Sequence, residues 1–198
     1  MAAPFAGLTV SRFSAPDSGT TPRIVAVMPE PIVATATMTT PGTGGNPYAI
    51  NDIIANNATA GSVVPFAFLV GREANGGFSM EGFRLELAAS TDTGFRNFPL
   101  AMHFFETSPV FNVGDDGAFD LNVSVAGWRD YVTVTMNKGF GAGAQAALVG
   151  VGSPTSGGRV QFKSDANGYI YGVLTAAAQI TRSQVAHTFN ARVEGYAL

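Results

Sequence analysis

Apolar residues recur at every second position through most of the chain beyond residue 60. The pattern is clearest at Phe98, Leu100, Met102 and Phe104. Three further sets show it: Phe83, Leu85 and Leu87; Val132, Val134 and Met136; and Val64, Phe66, Phe68 and Val70. Because successive side chains of a strand point to opposite faces of a sheet, this period predicts strands with one buried face. The spacing of these strands predicts about eight to ten of them in an all-β, jelly-roll-like β-sandwich.

Turn signals separate the predicted strands. Asn75-Gly76-Gly77 and Asp165-Ala166-Asn167-Gly168 are tight-turn sequences, and the second is of the kind that closes a hairpin. Residues 169–180 and 187–196 predict two long strands at the end of the chain. The one stretch that favours a short helix is 142–149, which is rich in alanine.

The first 45 residues differ from the rest of the chain. Residues 1–22 hold scattered apolar residues among Ala, Ser, Pro, Gly and Thr, so they predict an arm that is ordered only by docking on a partner. The alternative is a frayed terminus. Residues 24–28 and 32–38 are rich in Val, Ile and Thr, but Pro29 and Pro31 restrict them to edge strands. We therefore expect residues 1–45 to form an N-terminal arm with edge strands, and residues 46–198 to form the β-sandwich domain.

Composition limits the classes of function. The chain has 198 residues and no Cys, which excludes a disulfide scaffold and thiolate chemistry. Only 13% of its residues are charged, against about 25% in an ordinary soluble domain, and only Lys138 and Lys163 are lysines. Such depletion is typical of surface covered by a partner. A large core in a chain rich in small residues explains it equally well.

Charge and hydropathy argue against two kinds of partner. The net charge is −3 and there is no basic run, so we expect no nucleic-acid binding. No stretch of about 18 apolar residues predicts a membrane span. The first residues lack a basic segment followed by a long apolar one, so we expect no secretory signal and synthesis in a cytoplasm.

Candidate cofactor and metal motifs are weak. Gly139-Phe140-Gly141-Ala142-Gly143-Ala144 matches the loose dinucleotide pattern, but Gly150, Gly152 and Pro154 leave no room for the helix that must face the pyrophosphate. Asp115, Asp116 and Asp120 surround two glycines without the spacing of an EF-hand, so an Asx-turn is favoured over a Ca²⁺ site. We expect neither a cofactor nor a metal.

Candidate catalytic residues are equally few. His103 and His187 are the only histidines, and without cysteines they cannot complete a tetrahedral zinc site on their own. No G-x-S-x-G elbow is present, and Glu81, Glu86 and Glu106 are the carboxylates that a glycosidase pair could use. We therefore predict that the chain is not an enzyme.

Four residues are candidates for contact with a partner protein. Trp128 and Arg129 lie together before a predicted strand, and these residue types are favoured at interface hot spots. Trp128 could equally be a core side chain. Phe5 and Phe13 are the aromatic residues of the predicted arm, and they could anchor it on another protein.

The order of short motifs between about residues 46 and 120 resembles the capsid decoration, or cement, proteins of tailed bacteriophages. Five segments carry the resemblance, in this order: Pro47-Tyr48-Ala49-Ile50-Asn51-Asp52-Ile53-Ile54; 66–72 followed by Asn75-Gly76-Gly77; 82–87; 100–105 followed by Thr107-Ser108-Pro109; and Asp115-Asp116-Gly117-Ala118-Phe119. Each motif is short, so the resemblance depends on their order. Residues 1–45 have no counterpart in it.

The resemblance implies a function. Family members are self-associated jelly-roll-like domains, often trimers, that lie on the outer capsid surface and clamp neighbouring major capsid subunits. The resemblance also implies a structural virion protein that is made in the host bacterium and has no catalytic residues. The alternative is a carbohydrate- or receptor-binding module of a phage tail, in which Trp128, Tyr131 and Tyr171 would stack on sugar rings.

Overall fold

The computed structural model describes residues 9–10, 26–27, 29–42, 47–88, 95, 97–119, 127–138, 144–149, 159–181 and 186–198. Their strands are β1 (Thr9–Val10), β2 (Ala26–Val27), β3 (Pro31–Thr39), β4 (Ile53–Ile54), β5 (Phe66–Leu69), β6 (Gly77–Leu87), β7 (Pro99–Phe105), β8 (Trp128–Thr135), β9 (Asn137–Lys138), β10 (Ala144–Val149), β11 (Val160–Lys163), β12 (Tyr169–Ala176) and β13 (Thr188–Ala197). Apart from the 3₁₀ turn Ala60–Ser62, these described residues contain no helix, and none that could cross a membrane. The chain is all-β.

The strands form two large antiparallel sheets whose pairing is that of a jelly roll. The six-stranded sheet has the order β3-β13-β6-β10-β9, with β11 also on β6; the five-stranded sheet has the order β4-β12-β7-β8, with β5 also on β12. The pairs are therefore nested: β3 with β13, β4 with β12, β6 with β10, and β7 with β8. This nesting produces the double Greek key of a jelly roll. The predicted fold class is confirmed.

The core lies between the two sheets and is rich in phenylalanine. Phe104 on β7 is fully buried, and its ring lies 5.6 Å from Phe83 on β6, 5.6 Å from Phe162 on β11 and 6.4 Å from Phe68 on β5. These contacts connect the inner faces of both sheets. The alternation that predicted the strands therefore also identified the buried faces, since Phe83, Leu85 and Leu87 are buried.

Three local predictions were wrong. Residues 144–149 form strand β10, not a helix, because their backbone pairs with β6 in a register that sets Ala146 opposite Leu85. This pairing outweighs the helix preference of a short alanine-rich segment, which is marginal in isolation. Val64 is 60% exposed, because the strand begins only at Phe66, after the 3₁₀ turn.

The turn at Asp165-Ala166-Asn167-Gly168 also differs from prediction. It does not close a hairpin: β11 before it pairs with β6, whereas β12 after it pairs with β5 and β7 in the other sheet. Gly168 has a φ of 84°, which favours glycine, and its carbonyl accepts hydrogen bonds from the N–H groups of Val70 and Gly71. The turn therefore carries the chain from one sheet to the other.

The proline-based prediction of an edge strand is confirmed for β3. This strand is the last of the six-stranded sheet and pairs along its length with β13. Of residues 24–28, only β2 is described, and it pairs with β1. The domain boundary at residue 46 stays a prediction.

Candidate functional site

Two segments of the family resemblance, 47–54 and 115–119, lie side by side. The hydroxyl of Tyr48, a fully buried residue, donates a 2.8 Å hydrogen bond to Asp115 Oδ1, and the Ala55 N–H donates another of 2.9 Å to the same oxygen. Asp52 forms an antiparallel bridge with Ala118. The geometry of one segment therefore depends on the other, although Tyr48 and Asp115 are 67 positions apart in the sequence.

The segment around Asp52 is a tight turn held by its own acid. Asp52 Oδ2 accepts a 2.5 Å hydrogen bond from the Ala49 N–H, and Asn51 has a φ of 71°. Asparagine is among the non-glycine residues that adopt this conformation most readily. Ile53 and Ile54, which form β4, follow this turn directly, and both are buried. Asp52 is thus structural, and it sets the direction in which the chain enters the five-stranded sheet.

A second apolar cluster covers the outer face of the five-stranded sheet. Its buried members are Ile53, Ala55, Phe105, Phe111 and Val173. Val63, Val113, Phe119, Trp128 and Tyr171 pack against them and are partly buried. The loop that follows β7 therefore folds back over the sheet instead of leaving this face to solvent. We call this region the loop-covered face.

Trp128 lies in this cluster and Arg129 lies beside it. The Trp128 side chain packs on the loop-covered face, and its Nε1 is buried without a hydrogen-bond partner in the described residues. Arg129 is 55% exposed and forms a 3.2 Å ion pair with Glu106. The same Glu106 oxygen accepts a 2.7 Å hydrogen bond from the Lys163 N–H on β11. Glu106 therefore links β8 of one sheet to β11 of the other. Phe5 and Phe13 lie outside the described residues.

The aspartates that suggested a Ca²⁺ site form a turn instead. The Asp116 N–H donates to the Ile53 carbonyl, Asp116 has a φ of 69°, and the Gly117 N–H donates to the Gly114 carbonyl. Asp120 lies outside the described residues. Within the residues that are described, no group of three or more His, Asp or Glu side chains could hold a metal ion.

The three glutamates weighed as catalytic carboxylates are each ion-paired with an arginine. Glu81 pairs with Arg159 at 3.0 Å, Glu86 with Arg84 at 2.5 Å, and Glu106 with Arg129. Glu81 and Glu86 both lie on β6 but line different clefts, and Glu106 follows β7 in the other sheet. Of the glycine-rich dinucleotide candidate, only Ala144 is described, and it belongs to β10.

Tyr171, one of the candidate sugar-stacking rings, is tied to the turn between the sheets. Its hydroxyl donates a 2.7 Å hydrogen bond to Asp165 Oδ2. Burial, the bond to Asp165 and the nearby negative charge raise the pKa of Tyr171 to about 12. Burial opposes ionisation of Asp165, but hydrogen bonds from the Tyr169 N–H, the Tyr171 hydroxyl and the Asn167 N–H outweigh it and lower the pKa of this carboxyl. No sequence pattern pointed to this network.

His187 is buried and His103 is partly buried, and each packs against aromatic rings. His187 is 1% exposed and its ring meets Phe95 edge-on at 4.8 Å. The His103 ring stacks on Tyr131 at 5.6 Å, and its Nε2 lies 3.2 Å from the Thr175 hydroxyl. Burial lowers the pKa of His103 from 6.5 to about 4. The ring is therefore neutral in the folded chain near neutral pH.

We expect acidification below pH 6.5 to destabilise the fold through His103. Between the unfolded pKa of 6.5 and the folded pKa of about 4, the unfolded chain binds a proton that the folded chain does not, so stability is full above this interval and falls as the pH decreases through it. The loss is at most about 3 kcal/mol. Urea denaturation at about pH 7 and about pH 4.5 measures it. The His103→Gln variant, which cannot titrate at this position, should lose less stability between the two pH values. An equal loss in both proteins would contradict the assignment of this pH dependence to His103.

Comparison with known proteins places the chain in no family. No family model matches the sequence, and no curated protein does. Among solved structures, the chain is similar to a protein of the cyanophage Pam1 capsid asymmetric unit, with 13% identity, 99% coverage of both chains and a TM-score of 0.35. It is also similar to a chain of the Israeli acute paralysis virus particle (10% identity, 100% and 92% coverage, TM-score 0.30) and to one of the Kashmir bee virus empty particle (10%, 100% and 87%, 0.31). Likeness at these TM-scores carries no argument about function.

Proposed function

We propose that the chain is a structural, non-enzymatic virion protein of the decoration type, which binds the outer surface of a major capsid lattice and stabilises the head. The observation that supports this most is the meeting of three segments of the family resemblance on the loop-covered face. Ile53, Phe105 and Phe119, one from each segment, belong to the cluster on this face, and the Phe119 ring lies 6.4 Å from Phe105 at the end of β7. Motifs that are scattered in the sequence thus form one continuous structure.

The surface chemistry suits this role. A decoration protein acts through shallow contacts that are repeated around a lattice, so avidity replaces strong affinity at any one site. Charged residues make up only 13% of the chain, so few of them have to be desolvated when such a surface is covered. We propose a homotrimer as the basic unit, because closed symmetry multiplies the contacts that each copy makes.

Heads that lack the protein provide the direct test. Added chain is expected to sediment with them and to delay the release of DNA on heating, and the free chain at low concentration is expected to have the mass of three copies. Glycans should leave Trp128 fluorescence unchanged. Failure to bind heads, together with a fluorescence response to glycans, would overturn the proposal in favour of the tail recognition module.

The contact residues can be tested by paired substitutions. If Trp128 and Arg129 touch the capsid, Arg129→Ala should weaken head binding by about tenfold, which is the loss of a moderate hot spot. Arg159→Ala is the matched control, because Arg159 is similarly exposed (59% against 55%) and is also paired with a glutamate, but on the other sheet. Deletion of residues 1–22 tests Phe5 and Phe13 in the same assay. Equal binding by all variants would remove these residues from the interface.

A further inference from the structure

Within the described residues, the edge strand β3 presents backbone groups without a partner at every second position. At one end the Thr40 N–H donates to the His187 carbonyl, and at the other the Ala197 N–H donates to the Glu30 carbonyl. In an antiparallel pair the bonded residues alternate, so the even-numbered residues of β3 bond to β13. The N–H and C=O groups of Val33, Thr35, Thr37 and Thr39 therefore point to the free edge, where no partner for them is found in the described part of the chain.

The composition of β3 does not protect this edge. Its sequence, Pro-Ile-Val-Ala-Thr-Ala-Thr-Met-Thr, contains no charged residue, and only Pro31 at its start lacks an N–H. Edge strands are normally guarded by charges, prolines or bulges, because a long uncharged edge recruits another strand. One edge strand of the other sheet, β8, has such guards: Arg129, Asp130 and a register shift opposite Phe104 and Phe105. The other described strands at sheet edges, β4, β5, β9 and β11, are only two or four residues long. The contrast between the two edges singles out β3.

We propose that β3 pairs antiparallel with the β3 of a second copy across a two-fold axis. With Thr35 opposite Thr35 of the second copy, all nine residues overlap, and the outward groups of Val33 face those of Thr37. No like charges meet, because the strand has none, and the threonine side chains lie together on the exposed face, where Thr35, Thr37 and Thr39 already lie. Cross-strand threonine pairs stabilise such ladders. The two six-stranded sheets become one continuous sheet.

This pairing does not depend on the capsid role. It doubles a single chain, and a trimer has three β3 edges, each of which can pair with one of another trimer. If the unit is a trimer on a shell, β3 would join each trimer to its neighbour across a two-fold position. Loss of the pairing with intact head binding would overturn only the present inference, whereas loss of head binding with intact pairing would overturn only the proposed function.

Cysteine cross-linking gives the first test. Because the chain has no Cys, a single Thr35→Cys substitution reports on its own symmetry mate, and the separation of directly opposed residues suits a disulfide. Under mild oxidation we expect cross-linked pairs to form at least about tenfold faster than in Thr133→Cys, since pairing raises the effective concentration. Thr133 is the matched control, because it is an exposed threonine on the edge strand β8 of the other sheet. Thr37→Cys, alone and mixed with Thr35→Cys, tests pairings in which the two β3 strands are shifted relative to each other. No preference in any of these samples would overturn the pairing.

A charged residue introduced on the edge strand β3 gives the second test. Thr35→Lys places two lysines opposite each other at the proposed axis and leaves the bonds to β13 unchanged. Sedimentation across a range of concentrations should show doubling or further association of the basic unit for the original chain and for Thr133→Lys, but not for Thr35→Lys. Circular dichroism confirms that all three are folded. Doubling that persists in Thr35→Lys would refute the proposal.

Discussion

Replacement of Phe104 by alanine is expected to lower the free energy of unfolding by about 3–5 kcal/mol, the range for removal of a fully buried aromatic ring. Phe104 is 0% exposed, and its ring touches phenylalanines on three other strands: Phe68 on β5, Phe83 on β6 and Phe162 on β11. Since two of these strands belong to the opposite sheet, the cavity would open between the layers. Urea denaturation at constant pH measures the change.

Two comparisons make this result specific. Phe104→Leu keeps most of the apolar volume, so it should lose clearly less stability than Phe104→Ala. Val64→Ala removes apolar atoms from a side chain that is 60% exposed and should change stability by less than about 0.5 kcal/mol. A Phe104→Ala protein as stable as the Val64→Ala protein would show that the two sheets do not pack as described.

Asp115→Ala is expected to destabilise the fold by about 2–5 kcal/mol, because it leaves two donors without their acceptor. One is the hydroxyl of the fully buried Tyr48 and the other is the Ala55 N–H. Asp115→Asn keeps an acceptor oxygen at this position and should lose less. Thermal and urea unfolding of the three proteins measure these differences.

A double-mutant cycle isolates the contact between the two segments. Tyr48→Phe removes only the hydroxyl, so by itself it should lose about 1–2 kcal/mol. In the Asp115→Ala background the same substitution should lose almost nothing, because the acceptor is already gone. Additive losses would mean that the hydroxyl of Tyr48 and the Asp115 carboxylate do not interact.

Features with a local cause could be predicted from the sequence. The alternation at Phe83, Leu85 and Leu87 identified both a strand and its buried face, and the prolines at 29 and 31 identified an edge. The β10 segment was misassigned because its pairing partner, β6, lies far away in the sequence. The Asp165 turn was misassigned for a similar reason, since turn residues specify a reversal of the chain but not the sheet that the next strand joins.

The candidate site shows the same limit. The order of motifs drew attention to Tyr48 and Asp115, but no pattern indicated that one bonds the other. Trp128 was left open between core and interface, and the structure places it partly buried in the second cluster, which is compatible with either role. The link from Arg129 through Glu106 to β11 could not be predicted, because three separate strands have to come together first.

The nested pairing of the strands has a consequence for how the protein is made. β13, the last strand, lies between β3 and β6 in the six-stranded sheet. Until β13 has been synthesised, β3 has no neighbour in this sheet and is not joined to β6, which pairs with β10 and β11. Folds dominated by contacts that are distant in sequence form slowly, and intermediates with unpaired strand edges aggregate. We therefore expect the complete six-stranded sheet to form only after the last strand has been made.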